Sequence, residues 1–157
     1  MLRFDASAAF LVDRCRLPLP RVTLGPQLVG IASAGIDISD GLVADLKHIC
    51  TVSNVSAIVE ATAVPLSSAA IAVIGDNAQH FAMALTGGDD YELLFTARPE
   101  ETDRINALSR SCGIPITPIG RMMVPLRGEE PAVVVRDSLG EPLCFASEGW
   151  THFGQND

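Results

Sequence analysis

The stretch ASAGIDISDGLVADLKHI, Ala32 to Ile49, changes its apolar period halfway along. Around Ala34 to Ile38 apolar and polar residues alternate, as on a strand with one buried face. From Leu42 onward Leu42, Leu46 and Ile49 recur at helical spacing. A strand therefore runs into a helix with only Ser39, Asp40 and Gly41 between them. Ser39 or Asp40 is the natural N-cap, because its side-chain oxygen can accept from an amide of the first turn.

Working outward, Ala6 to Cys15 reads as a helix through Phe10, Leu11 and Cys15, and LPLPRVTLGPQ follows with three prolines that cannot continue it. Downstream, VSAIVEAT (55–62) reads as a β-branched strand. PLSSAAIAVIG and DNAQHFAMAL read as two helices broken at Gly75, and YELLFTA (91–97) as a strand. PEETDRINALSRSCG (99–113) opens on proline and acids and stops at glycine, a clear helix signature. IPITPIGRM, PAVVVRD and EPLCFA are three further strand candidates, the last two joined by the turn SLG. The late strands lie close together, so the expected fold is α+β, a mixed β-sheet with helices packed on one face, and not a doubly wound parallel fold. A chain of 157 residues fits one domain, with residues 1–30 as a leading helix and Pro-rich linker.

Eleven basic against nineteen acidic residues give a net charge of −8, which opposes binding to nucleic acid or anionic membranes. No apolar run reaches the roughly 18 residues of a membrane span, and the N-terminus does not resemble a secretory signal. Cys15, Cys50, Cys112 and Cys144 form no C-x-x-C pair. The expected compartment is the cytoplasm. The 48% hydrophobic content is high, which fits either an Ala- and Val-rich core or an apolar surface meant for a partner.

Two acidic clusters carry the chemistry: DISDGL at 37–42 and GGDDYE at 87–92. Asp37 and Ser39 share one side of an extended segment, and Asp40 turns into the helix. A strand-to-helix junction offers amides and a positive helix end to phosphate oxygens, and Mg2+ reconciles carboxylates with phosphate by binding both. Alternatively, Ser39 and Asp40 only cap the helix and Asp37 is solvated. Two glycines before Asp89 and Asp90 give a bend that presents both carboxylates at a strand edge, or else an ordinary Gly-rich turn. P-loop, zincin and α/β-hydrolase motifs are absent. His48, His80 and His152 have no evident catalytic neighbours and read as surface or packing residues.

Taken together, ASAGIDISDGLVADLKHI, PLSSAA, ALTGGDDYELLFTA, ITPIGRM and the closing GWTHF resemble the C-terminal half of thiamine-phosphate kinase, within the wider aminoimidazole ribonucleotide synthetase-like group. The likeness spans about Leu17 to Phe153. It implies an α+β C-terminal domain and ATP-dependent phosphorylation of thiamine phosphate to thiamine diphosphate, with Mg2+. By resemblance, Asp37 and Asp40 are Mg2+ ligands, Ser39 contacts an ATP phosphate, and Asp89 and Trp150 contact the substrate. Asp89 stands where the family often has glutamate.

The expected nucleophile is a phosphate monoester, already ionised near neutral pH, so no general base is needed. The family's N-terminal ATP-binding domain has no counterpart in these residues. The expectation is that this chain needs that domain, or a homodimer mate, to complete the site. Two other readings are half of a different ATP-dependent enzyme of the same group and a non-catalytic binding or regulatory module.

Overall fold

The computed structural model describes residues 6–125 and 127–145. Five α-helices and five strands follow in the order α1 (Ala6–Arg16), β1 (Ala32–Asp37), α2 (Leu42–Ser53), β2 (Ser56–Glu60), α3 (Ser68–Ile74), α4 (Ala78–Thr86), β3 (Leu93–Ala97), α5 (Thr102–Cys112), β4 (Gly120–Met123) and β5 (Val133–Arg136). The α+β reading holds, with the strands divided between two sheets. β1 and β3 form an antiparallel ribbon, while β2 sits between antiparallel β4 and parallel β5 in a mixed sheet.

Helix α2 explains how the two sheets share a core. It contacts β1 of the ribbon and both β2 and β5 of the mixed sheet. Its Leu42, Val43, Leu46, Ile49 and Cys50 are buried, as the period of the opening stretch requires. They pack with Val59, Leu85, Leu94 and Val135. The ribbon has a second apolar side, because successive strand residues point to opposite faces. Leu94 joins the main core, whereas Leu93 and Phe95 lie against a second cluster of Leu24, Leu28 and Leu108.

That second cluster changes the reading of the first thirty residues. Leu24 and Leu28 are 3% and 6% exposed, and Gly25–Leu28 forms a short 3-10 turn. The Pro-rich segment is thus partly built into the fold. Helix α1 contributes no buried residue and packs chiefly on α3.

Two expected strands shrink, for a shared reason. Of IPITPIGRM only its last three residues are strand, as β4 from Gly120 on to Met123, and the described residues of EPLCFA give a single bridge, between Arg136 and Pro142. Pro115, Pro118 and Pro142 lack the amide that a ladder needs. The turn between the last two segments is present. Asp137 Oδ1 accepts from the amides of Leu139 (2.8 Å) and Glu141 (2.9 Å), while Gly140 adopts φ +85°.

Candidate functional site

The two acidic loops meet back to back. The Ile38 amide donates to Glu92 O, the Tyr91 amide to Ile38 O and the Asp89 amide to Ser39 O, at 2.8, 2.8 and 2.9 Å. These bonds extend the β1–β3 ribbon past its regular end, so the loops leave it as a joined pair. Glycine makes the approach possible. A Cβ on Gly88 would stand 2.3 Å from Ser39 O, and one on Gly41 2.7 Å from Thr86 O. Gly41 also holds φ +124°, a backbone conformation that other residues rarely adopt. The space beside Gly41 is therefore filled by the Thr86 carbonyl of the neighbouring segment.

The cap of α2 differs from the expected one. Gly41 occupies the N-cap, and no side chain at that position caps the helix. Instead Asp45 reaches back. Its Oδ2 accepts from the amides of Ser39 (3.0 Å), Asp40 (3.0 Å) and Gly41 (3.2 Å), and the residue is 2% exposed. A buried carboxylate is tolerated only when hydrogen-bonded, and three amides meet that condition. These three amides are engaged within the chain instead of standing open for a phosphate. Sequence reasoning missed Asp45, whose detectable signal was an acidic residue in the helix's first turn.

Asp37 ends β1 and is exposed, while Ser39 and Asp40 are half-buried beside it. Asp40, Asp45 and His48 each place one ligand atom within 4.8 Å of the others. His48 is exposed. Since Asp45 Oδ2 already takes three amides, Asp40 is the freer carboxylate of this group. Asp37 is not part of this group; it and Asp40 each offer a hard oxygen donor, the kind of ligand taken by a cation that retains part of its hydration shell.

Across the junction, Asp89 and Asp90 are exposed. Asp89 and Tyr91 both adopt positive φ, +69° and +50°, which is uncommon for residues with a side chain. The Tyr91 hydroxyl donates to Asp89 Oδ1 at 3.0 Å. That bond, followed by the Asp89 charge and, more weakly, the Asp37 charge, raises the phenol above its ordinary range. Asp37 and Asp89 thus both act on one phenol from opposite loops. Trp150, the expected substrate contact, lies outside the described residues, as does the rest of GWTHF.

Loss of surrounding water pushes the Asp90 carboxyl up to about 6. The charges of Glu92 and Asp89 add to this, and Arg14 opposes it. Asp90 as a residue is exposed, so the water loss is less than a fully enclosed carboxyl would feel. Glu92 itself is paired: Arg21 donates from Nε (2.8 Å) and Nη2 (2.5 Å), and Arg14 Nη2 donates at 3.1 Å.

A separate open groove of about 340 Å³ lies beside the ribbon, lined by Leu28, Val29, Ala32 and Phe95 among others, with no carboxylate in its lining. Charge and hydrogen-bonding capacity are at the loops, so anion and cation chemistry belongs there. Among the described residues no helix is long and apolar enough to cross a membrane.

Residues 11–127 match the family described as AIR synthase related protein, C-terminal domain. Among curated relatives, thiamine-monophosphate kinase of Haemophilus influenzae is 40% identical over 152 residues, covering 97% of this chain and 45% of its own length. The Salmonella typhimurium enzyme of the same name is 38% identical over 149 residues, covering 95% and 44%. A crystal structure of thiamine-monophosphate kinase from Stenotrophomonas maltophilia superposes with a TM-score of 0.74 at 41% identity, over 85% of this chain and 41% of that one. A second structure, described as AaThiL complexed with AMPPCP and TMP, gives 0.74 at 28% identity, over 98% and 44%. The chain therefore spans less than half the length of the relatives it matches. With the fold, the joined acidic loops and the match over residues 11–127 in agreement, the chain belongs to the AIR synthase related protein C-terminal domain family.

Proposed function

We propose that this chain is the C-terminal half of a thiamine-phosphate kinase, acting in the transfer of the ATP γ-phosphoryl group to thiamine phosphate with Mg2+. One observation carries the reading. The DISDGL and GGDDYE loops are bonded main chain to main chain, which supports reading them as one site with a cation-binding edge and a substrate-facing edge. Support comes from relatives named thiamine-monophosphate kinase and from the neighbour in complex with AMPPCP and TMP.

In this reading Asp37 and Asp40 hold Mg2+, and the Ser39 side chain contacts a phosphate of ATP, the co-substrate. Asp89 and Trp150 contact thiamine phosphate. Mg2+, when bound, supplies charge neutralisation between two anionic phosphates. The acceptor phosphate has a second pKa near 6, so at neutral pH it needs positioning more than deprotonation. This accords with a site whose described carboxylates are accompanied by no histidine except the exposed His48. An N-terminal ATP-binding domain, or a homodimer mate, completes the ATP site, and the setting is the cytoplasm.

The test is a titration of intrinsic fluorescence, whose source is unambiguous because Trp150 is the only tryptophan. Thiamine phosphate in Mg2+ should quench saturably, and unphosphorylated thiamine should bind more weakly. A response equal for both ligands, or none to either, overturns the reading.

A further inference from the structure

Glu92 is the one carboxylate of the GGDDYE turn that faces two guanidinium groups, and both come from far away in sequence. Arg21 is 71 residues distant and Arg14 is 78. Arg21 makes a two-pronged contact, the geometry in which a guanidinium fork matches a carboxylate best. Its charge is held more firmly than usual, first because of the hydrogen bond to Glu92. The pairing is partly shielded, with side chains 26%, 27% and 39% exposed for Arg14, Arg21 and Glu92. It is therefore less screened by solvent than an ordinary surface pair.

Two further features suggest more than incidental pairing. Asp89 and Tyr91 sit in the left-handed region, and strained backbone of this kind persists only where its surroundings over-determine it. In addition, Arg14 Nη1 is buried without a hydrogen-bond partner among the described residues. A buried donor left unmet is unfavourable, so Arg14 is held against Glu92 despite a local cost. Among the described residues, Asp89, Asp90 and Glu92 also crowd three negative charges into one turn. The arginines compensate one of them and leave the aspartates facing outward.

We propose that Glu92, gripped by Arg14 and Arg21, is a positioning residue that holds the strained Asp89–Tyr91 turn in register against the Ile38–Asp40 loop. The N-terminal segment thereby acts as a strap across the back of the site. What the turn serves rests on the kinase reading above; what holds it in place does not.

The experiment measures amide hydrogen exchange of Asp89 and Tyr91, the two donors that bond to Ser39 O and Ile38 O, in the wild-type chain and in Glu92→Gln. Removing the charge should speed exchange at these two amides by about tenfold while protected amides of β2 change little. Arg14→Gln, a milder change, should give a smaller acceleration at the same two positions. Binding of thiamine phosphate in Mg2+, measured in parallel, should weaken in Glu92→Gln at a temperature where both proteins are fully folded. Exchange at Asp89 and Tyr91 that is unaltered in both variants, or that rises no more than exchange in β2, overturns the proposal. A wild-type chain that binds no thiamine phosphate overturns the kinase reading instead, since the exchange measurement needs no ligand.

Discussion

Replacing Gly88 with alanine tests the junction of the two acidic loops most directly. The new Cβ would lie 2.3 Å from Ser39 O and 3.3 Å from the Ser39 carbonyl carbon, and both are main-chain atoms that cannot swing aside. Relief requires the loops to separate by about an ångström, roughly the shortfall from an ordinary carbon–oxygen contact. The Asp89–Ser39 bond at 2.9 Å is then stretched or lost. Overpacking typically costs about 1–3 kcal/mol and a lost hydrogen bond about 1 kcal/mol, giving roughly 3 kcal/mol together.

For a chain of this size that lowers the melting temperature by about 6–12 °C. Thermal unfolding followed by circular dichroism reads it. Gly25→Ala is the control, because a Cβ there meets nothing within 4 Å, and its shift should stay under about 0.5 kcal/mol. If Gly88→Ala melts with Gly25→Ala, the back-to-back packing of the loops is wrong.

Asp45→Ala leaves the amides of Ser39, Asp40 and Gly41 without their acceptor; denaturant unfolding should show a loss of about 3 kcal/mol or more, and a loss below about 1 kcal/mol would refute the reach-back cap. Asp90→Asn probes the crowded charges: because the folded carboxyl titrates at about 6, above its ordinary 3.8, the folded state binds this proton more tightly. Its favourable contribution is present at low pH and is lost as pH rises from about 4 to 6. Without Mg2+ the variant should therefore match wild type near pH 3.5 and be the more stable of the two at pH 7, and a difference that does not vary with pH would contradict this. Asp37→Ala and Asp40→Ala should each weaken Mn2+ binding, read by paramagnetic relaxation, about tenfold or more while leaving the fold intact, whereas unaltered binding in both would remove them as ligands.

The sequence exposed those parts of the fold whose signals are local. The shift of period across Ala32–Ile49 announced β1 and α2, and Gly75 and Gly113 marked helix ends where the structure has them. The glycines beside both acidic clusters marked special backbone, and at Gly41 and Gly88 what the missing side chain admits proved to be the backbone of the other segment. Asp45 escaped notice because a cap placed at Ser39 or Asp40 pushes Asp45 out of the first turn, and only with Gly41 as N-cap does it fall within reach of the loop amides. The Glu92 pairing had no local signal at all, since its arginines lie 71 and 78 residues away. Proline explains the shortened strands: Pro115, Pro118 and Pro142 were visible, but the Ile and Thr around the first two, and the Leu, Cys and Phe after the third, outweighed them in the pattern.

The main-chain bonds and bare glycines that join the two loops also separate the frame of the site from its side-chain chemistry. Distances between the loops are set by Ile38, Ser39, Asp89 and Tyr91 through peptide groups, which every residue but proline supplies. Side chains that project outward from this frame, unlike the Glu92 and Asp45 carboxylates that brace it, can therefore be exchanged without moving their supports. Exchanging aspartate for glutamate at position 89 would then alter reach by one methylene, and with it the hydrogen bond from Tyr91, so the site could be retuned to a ligand of different size by single substitutions on an unchanged frame.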